Sequence, residues 1–393
     1  AYWDSEIKHS QVEGHPDFPV WTRKSTTDLC YLACARRLLD AGPGIFPQFA
    51  THNAHTVAAI QHMAPEDGAY EFQRLHGMGE ALYRAAKPPR RVRIYAPVGA
   101  HEDLLPYLVR RLLENGANTS FVHRFLDDDV PPEDVARSPF SDDAPSRHAR
   151  IPLPSDMFGR ERPNSKGVDL TQERVRIELE EKAFNYKSID AKPLISGNAP
   201  GGKGQTVFSP IDASVIGTLQ NAKPEHVDKA FASAKIAFPA WNASGGKARG
   251  NILRAMGDAL ENHTDEFVAL MSNEAGKTFV DCIAEVREAV VFCRYYAAQA
   301  ETQFSGPVVM PGPAGETNTL SMGGRGVFVC ISPWNFPLAI FAGQIAAALA
   351  AGNTVIAKPA EQTPLIAHQA VQLMHQAGVP ESVLQLAIGD GAT

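Results

Sequence analysis

Between Phe18 and Asn118 the sequence repeats one pattern four times: a short apolar run is followed by a stretch whose apolar residues have helical spacing. Such an alternation predicts parallel βα units, because a crossover helix returns the chain to the same end of the sheet before the next strand. The predicted strands are 18–22, 46–50, 70–75 and 92–97, and the predicted helices are 26–39, 54–63, 79–86 and 102–115. Four such units correspond to half of a (βα)8 barrel.

Both ends of the sequence lead us to expect that it is an excerpt of a longer protein. The chain begins with Ala1 rather than Met, and it ends in a glycine-containing turn directly after the strand-like run 383–388. A turn at that position is expected to lead into another element. Half a barrel would also leave unpaired strand edges.

The rest of the chain divides into two further regions. Residues 126–194 are rich in Asp, Ser and Pro and predict a linker, with an exposed charged helical arm at 170–184. Residues 195–393 end in a βαβαβ pattern, which predicts the first part of a doubly wound, Rossmann-type nucleotide-binding domain, although no G-x-G-x-x-G motif is present. The predicted helices there are 223–240, 246–273, 274–303, 338–351 and 364–377, and the predicted strands are 326–332, 354–358 and 383–388. The sequence therefore predicts an α/β protein with regions 1–125, 126–194 and 195–393.

The composition argues against several classes of function. A formal net charge of −7 and a pI near 6.0 argue against nucleic acid as a partner of this segment. A hydrophobic content of 44% is too high for a disordered chain, and no apolar run is long enough to cross a membrane. The five cysteines are few and odd in number, so we expect no disulfide framework and a reducing, cytoplasmic location. We expect no metal site.

Polar residues follow the predicted barrel strands at equivalent positions. Thr51 and His52 follow the second apolar run, His76 follows the third, and Tyr95 lies within the fourth. Since active sites of (βα)8 barrels lie at the carboxyl ends of the strands, these positions favour a binding site over isolated structural residues.

The last predicted barrel helix carries Tyr107, Arg110, Arg111 and Glu114 on roughly one face. A solvated charged face is one interpretation of this group. The other is a clamp for a carboxylate, because the planar guanidinium fork of Arg pairs with a carboxylate through two hydrogen bonds.

Two turns in the C-terminal region join strands to helices in consecutive units: 331–337 (ISPWNFP) and 358–364 (KPAEQTP). In the first turn, the side-chain amide of Asn335 can donate to a developing oxyanion. In the second, Lys358 and Glu361 can bind two ribose hydroxyls, one donating and one accepting. Thr363 before a proline predicts the N-cap of the following helix.

Four segments carry a resemblance to a known family: 1–8 (AYWDSEIK), 31–35 (YLACA), 49–56 (FATHNAHT) and 107–121 (YLVRRLLENGANTSF). They resemble the second half of the proline dehydrogenase barrel in the bifunctional proline utilisation A family, over about residues 1–125. The resemblance implies FAD-dependent oxidation of L-proline to Δ1-pyrroline-5-carboxylate. It implies that Arg110 and Arg111 bind the proline carboxylate, that Tyr95 and Tyr107 pack around the ring, and that FAD is lined by Ala1, Trp3, Thr51, His52, Glu114, Ser120 and Phe121. It also implies that a further carboxylate-binding Lys, an Asp near the substrate and an FAD-contacting Arg lie before Ala1.

Residues 274–278 (EAGKT) and 284–289 (AEVREA), together with the two C-terminal turns, resemble the aldehyde dehydrogenase superfamily, and within it the glutamate-semialdehyde dehydrogenase domain of the same bifunctional family. The resemblance implies that Asn335 lies in the oxyanion hole. It implies an NAD site built from Ile331, Ser332, Pro333, Trp334, Lys358, Ala360, Glu361 and Gly391. The Cys nucleophile and Glu base of such enzymes are expected beyond Thr393. The cysteines present in this region, Cys282, Cys293 and Cys330, are expected in the core.

Both resemblances in one chain imply the conversion of proline to glutamate by two oxidations, with hydrolysis of pyrroline-5-carboxylate to glutamate semialdehyde between them. The implied partners are L-proline, the semialdehyde and a membrane quinone that accepts electrons from FAD. The complete protein is expected to be a homo-oligomer, cytoplasmic or peripheral at the inner membrane face, and the segment alone is expected to be inactive. Two alternatives stay open at this point: an inert or interaction-only fragment, and a monofunctional aldehyde dehydrogenase with an unrelated N-terminal extension.

Overall fold

The computed structural model describes residues 3–116, 129, 131, 138, 147–186, 188–196 and 204–392. The chain forms two compact units. The first unit comprises residues 18–151, and the second comprises residues 2–17 together with residues 152–393.

Helix α1 (Trp3–Glu13) belongs to the second unit, although the sequence placed residues 1–125 in the barrel. The physical reason is a close backbone approach after the helix. The amide of Gly167 donates to the carbonyl of Gly14 at 2.8 Å, and a Cβ on Gly167 would lie 1.6 Å from the carbonyl oxygen of Glu13. Only glycine permits this contact, which ties the start of the described chain to residues 152–167.

The first unit is built from βα units. Its elements are α2 (Lys24–Leu39), β1 (Gln48–Ala50), α3 (Ala54–Met63), β2 (Glu71–Leu75), α4 (Glu80–Ala86), β3 (Val92–Tyr95) and α5 (His101–Gly116). The three strands pair in parallel in the order β1-β2-β3, which confirms the α/β prediction. The predicted strand 18–22 is wrong: these residues are irregular and pair with no strand among the described residues, and Pro19 has no amide hydrogen to donate to a ladder.

The core of the first unit lies between its sheet and its helices. Phe49 of β1 and Phe72 of β2 are register partners, and both are buried. The Phe72 ring also packs 5.8 Å from the ring of Tyr83 on α4. Because side chains alternate across a strand, the neighbouring residues Gln48 and Glu71 lie on the opposite face of the sheet.

The second unit contains a parallel sheet at its C-terminal end. After α1 and a short 3₁₀ turn (Pro154–Asp156), its elements are α6 (Glu173–Phe184), β4 (Ile189–Ala191), β5 (Gln205–Phe208), β6 (Val215–Leu219), α7 (Pro224–Ala243), α8 (Gly245–Asn262), α9 (Thr264–Ala275), α10 (Phe279–Gln303), β7 (Val308–Met310), β8 (Asn318–Leu320), β9 (Val327–Ile331), α11 (Ala339–Ala350), β10 (Thr354–Lys358), α12 (Pro364–Gln376) and β11 (Leu384–Leu386). Strands β11-β10-β9 pair in parallel, as the predicted βαβαβ pattern requires. A further sheet has the order β4-β6-β5, and β7 pairs antiparallel with β8.

One helix prediction for the second unit is wrong, and the prediction of the arm is incomplete. The single helix predicted over 246–273 is two helices, since His263 interrupts it and its Nδ1 lies 2.8 Å from the carbonyl oxygen of Ala259. The predicted arm at 170–184 forms α6 and is exposed at most of its positions, as expected, but one side of it is anchored to the core. Leu179 on α6 is buried in the main hydrophobic cluster, and the side-chain amide of Asn273 donates to the carbonyl of Ala183 at 2.9 Å. Among the described helices, none combines the length and apolar character needed to cross a bilayer.

Candidate functional site

The loop that follows β1 is held by hydrogen bonds from two helices. The side-chain oxygen of Asn53 caps α3, accepting from the amides of His55 at 3.0 Å and Thr56 at 3.4 Å. The hydroxyl of Tyr83 on α4 donates to the carbonyl of Thr51 at 2.8 Å. The carboxyl end of β1, where the sequence predicted site residues, is therefore fixed in position.

His52 links the loops that follow β1 and β2. Gly79, which has a φ of +69°, lies so close that a Cβ there would be 2.7 Å from Cδ2 of His52. Burial, and next the positive charge of Arg74, lower the pKa of His52 below its usual value, so the imidazole is neutral near pH 7. Its Nε2 is buried and has no hydrogen-bond partner among the described residues. A buried polar atom of this kind suits contact with a bound cofactor.

The predicted carboxylate clamp lies on α5. The guanidinium carbon of Arg111 is 5.4 Å from the centroid of the Tyr107 ring, one helical turn away. This cation–π contact orients the guanidinium. Tyr107 and Arg111 are half-buried, whereas Arg110 is exposed. Tyr95 ends β3, and its carbonyl accepts from the amide of His76 at 2.9 Å.

Five of the predicted FAD contacts have side chains outside the part of the chain that the structure describes. Trp3 begins α1 in the second unit and Glu114 lies on α5, but their side chains lie outside the described residues, as do Ala1, Ser120 and Phe121.

The sequence did not point to a polar cluster on the sheet face opposite the helices. The carboxylate of Glu71, 1% exposed, accepts from Nε of Arg93 at 2.6 Å and Nη2 at 2.9 Å. It also accepts from the side-chain amides of Gln48 at 2.8 Å and Gln73 at 3.2 Å. The hydrogen bond from Arg93 is the main cause that lowers the pKa of Glu71 to about 2. The cluster ties the three strands together on this face.

The turn after β9 presents apolar side chains at the carboxyl edge of the second unit's parallel sheet. Ile331 is 64% exposed and Trp334 is 57% exposed. The Ser332 amide donates to the carbonyl of Lys358 at 3.2 Å, so this turn adjoins the one after β10. The side chain of Gln344 donates to the carbonyl of Ile331 at 3.2 Å. The hydroxyl of Ser332 is buried and has no partner among the described residues.

The structure brings most of the predicted NAD residues together in these two neighbouring turns. Pro333 and Glu361 are exposed, and Lys358 and Ala360 are half-buried. Gly391 is exposed in the irregular segment after β11.

Thr363 occupies the N-cap position of α12, as predicted, but its side chain does not provide the cap. Its hydroxyl is buried and makes no cap hydrogen bond. The buried carboxyl group of Glu274 supplies these hydrogen bonds instead and accepts from the amides of Leu365 at 2.8 Å and Ile366 at 2.9 Å. Burial raises the pKa of Glu274 to about 8, against the opposite effect of these two hydrogen bonds.

The turn that carries Asn335 has a similar support that the sequence did not reveal. The ammonium of Lys277 donates to the carbonyl of Asn335 at 3.0 Å and pairs with the carboxylate of Glu285. The other carboxylate oxygen of Glu285 accepts from the amides of Leu338 at 2.7 Å and Ala339 at 3.1 Å. One sequence feature could have indicated this role for Glu285, because it is a charged residue on the apolar side of α10.

The cysteines of the second unit lie in the core, as predicted. Cys282, Cys293 and Cys330 are buried. Burial raises the pKa of Cys282 and Cys293 to about 12 and that of Cys330 to about 11. They are protonated near pH 7 and do not act as thiolate nucleophiles. Within the described part of the chain, no group of three or more His, Cys, Asp or Glu side chains is arranged to hold a metal ion.

Two family models match the chain in succession. The model described as proline dehydrogenase matches residues 1–124, and the one described as aldehyde dehydrogenase family matches residues 198–393. The first match removes the alternative of an unrelated N-terminal extension. These limits lie within three residues of the predicted boundaries at 125 and 195, although the compact units divide the chain differently.

Known proteins match the chain over its whole length. Bifunctional protein PutA of Escherichia coli is 46% identical over 415 aligned residues, which cover 100% of this chain and 30% of that protein. A crystal structure of a proline utilization A variant from Bradyrhizobium japonicum has a TM-score of 0.85 and 47% identity, covering 100% of this chain and 38% of the other. The structure of proline utilization A from Bdellovibrio bacteriovorus inactivated by N-propargylglycine has a TM-score of 0.89 and 31% identity. That match covers 100% of this chain and 41% of the other. The chain thus spans about a third of the length of the curated PutA relatives.

These matches agree with the order of the two resemblances found in the sequence. The chain belongs to the family of bifunctional PutA proteins, with a proline dehydrogenase segment followed in the same polypeptide by an aldehyde dehydrogenase segment.

Proposed function

We propose that the full-length protein converts L-proline to glutamate in two oxidations. The first is FAD-dependent and yields pyrroline-5-carboxylate. This hydrolyses to glutamate semialdehyde, which the second, NAD-dependent step oxidises. The observation that carries the proposal is the end-to-end match to a bifunctional PutA protein, with both family models in succession along one chain.

When bound, FAD supplies the electron acceptor for proline oxidation, and NAD supplies the hydride acceptor for semialdehyde oxidation. The residues present fit both groups. The buried, unpartnered Nε2 of His52 supports an FAD contact beside Thr51, at the carboxyl end of β1. The buried Ser332 hydroxyl and the exposed Ile331 and Trp334 side chains support an NAD contact in the second unit.

Arg110 and Arg111 are proposed to hold the carboxylate of proline, with Tyr95 and Tyr107 against the ring. The stacking of Arg111 on Tyr107 supports this role, because an oriented guanidinium needs less ordering when it binds a carboxylate. The clamp would fix the substrate's orientation without taking part in proton transfer.

In the aldehyde dehydrogenase segment, the side-chain amide of Asn335 is proposed to donate to the oxyanion that develops on the aldehyde oxygen. Lys358 and Glu361 are proposed to bind ribose hydroxyls of NAD. Since the cysteines of the second unit are buried thiols, residues 1–393 alone are not expected to oxidise the aldehyde.

We further propose that electrons from proline reach a membrane quinone. The complete protein is proposed to be a cytoplasmic homo-oligomer that associates with the inner membrane face. These proposals are supported by the family resemblance.

The function is tested with the purified full-length protein in two assays. One follows the proline-dependent reduction of a soluble quinone, and the other follows NAD reduction with glutamate semialdehyde as substrate. We expect both activities in one polypeptide. NAD reduction without proline oxidation would indicate a monofunctional aldehyde dehydrogenase, and the absence of both activities would indicate an interaction-only role.

A further inference from the structure

Lys277 contacts three groups that come from two different parts of the second unit. It lies in the loop between α9 and α10, and its side chain is 15% exposed. Its ammonium pairs with Glu285 of α10, donates to the carbonyl of Asn335 at 3.0 Å, and lies 4.8 Å from the centroid of the Phe336 ring. An ammonium has three N–H donors in flexible directions, so one Lys can satisfy a carboxylate and a carbonyl together.

Glu285 extends this contact to the start of α11. Its side chain is 1% exposed, and the oxygen that does not face Lys277 accepts from the amides of Leu338 and Ala339. These amides belong to the first turn of α11, where the helix dipole also favours a negative charge. The turn between β9 and α11 is therefore held at two points, the Asn335 carbonyl and the amides of residues 338 and 339.

We propose that Lys277, supported by Glu285, is a positioning residue that fixes the backbone of Asn335 and thereby aims its side-chain amide at the oxyanion. Lys277 contacts the carbonyl of Asn335 and leaves the exposed side-chain amide free to face a substrate. This inference rests on the proposed oxyanion role of Asn335. The inference means that Lys277, 58 positions before Asn335 in the sequence, also influences the rate of aldehyde oxidation.

The test uses the full-length protein and three single variants, Lys277→Met, Lys277→Arg and Asn335→Ala, with the double variant Lys277→Met/Asn335→Ala. A displaced catalytic group lowers the rate by up to about a hundredfold, so we expect kcat for semialdehyde oxidation to fall about 10- to 100-fold in Lys277→Met. The dissociation constant of NAD, measured by calorimetry, should stay within about twofold, since Lys277 contacts no proposed NAD residue. Lys277→Arg should recover part of kcat because it keeps the charge and the donors.

The double variant separates positioning from a general structural role. If Lys277 acts through Asn335, Lys277→Met should cause no further loss of kcat once Asn335 is Ala. Equal losses in both backgrounds, or an unchanged kcat in Lys277→Met, would overturn the inference. An unchanged kcat in Asn335→Ala would instead refute the oxyanion role and, with it, the inference.

Folding is checked by proline oxidation and NAD binding in the same polypeptide. If Lys277→Met fails to bind NAD, Glu285→Gln replaces it in the same comparison. The Gln oxygen can still cap α11 while the ion pair with Lys277 is lost. We expect it to lower kcat with unchanged NAD affinity, and an unchanged kcat would overturn the inference.

Discussion

Replacement of Arg111 by Met should weaken proline binding more strongly than replacement of Arg110. The structure gives the reason: Arg111 is half-buried and stacked on Tyr107, whereas Arg110 is exposed. A charge-assisted hydrogen bond contributes about 1.5–3 kcal/mol, which corresponds to a rise in KM for proline of roughly 10- to 150-fold for Arg111→Met. Arg110 is exposed, and solvent screens its charge. The rise in KM for proline in Arg110→Met should therefore lie at or below the lower end of that range.

The assay is steady-state proline oxidation by the full-length protein, with Arg84→Met as the matched control. Arg84 is an exposed arginine whose ion pair with Glu80 lies within one helix, so its KM should not change. Arg111→Lys should be intermediate, since it keeps the charge but loses the planar fork. An unchanged KM in both Arg111→Met and Arg110→Met would refute the carboxylate clamp.

Three further predictions concern other parts of the two units. Gly79→Ala should destabilise the first unit by about 1–3 kcal/mol and reduce flavin content, because the site needs a positive φ and the new Cβ would meet His52 at 2.7 Å; unaltered thermal unfolding and flavin absorbance would contradict this. Glu361→Gln should lower the preference for NAD over NADP, since a 2′-phosphate would face the Glu361 carboxylate; an unchanged ratio of kcat/KM values would contradict the ribose role. The pKa of Glu71 is lowered to about 2 in the fold, so its pairing with Arg93 stabilises the protein above pH 4.5, and this contribution is lost as the pH falls from about 4.5 to 2. Denaturation of Glu71→Gln and of the unmodified protein should therefore differ most near neutral pH and converge near pH 2; a constant difference would contradict the prediction.

The parallel βα architecture was predictable because it depends on local periodicity. Helix α3 and strand β10 have the predicted limits, since their apolar spacing and flanking residues lie within one short segment. The prediction of a strand at 18–22 was wrong because it relied on apolar content. It did not take account of Pro19, which cannot donate a hydrogen bond to a ladder. The short strands β4 to β8, with three to five residues each, were not among the predicted strands.

The supports of the candidate site were not predictable, because their partners are remote in sequence. Thr363 lies at the N-cap position of α12, yet the side chain that accepts from the first amides of this helix is Glu274, 91 positions before Leu365. Glu285 similarly caps α11 from 53 positions before Leu338. Local rules describe which residues can cap a helix, but tertiary packing decides which one is close enough.

The contact of α1 with residues 152–167 makes the second unit discontinuous, with the whole first unit inserted between its two parts. During synthesis α1 leaves the ribosome long before Gly167 exists, and roughly 150 residues must follow it. At a synthesis rate of about 5–20 residues per second, residues 152–167 follow α1 after on the order of 10–30 seconds. The first unit has time to fold in this interval. The order of translation therefore allows residues 18–151 to fold before the unit that surrounds them in sequence.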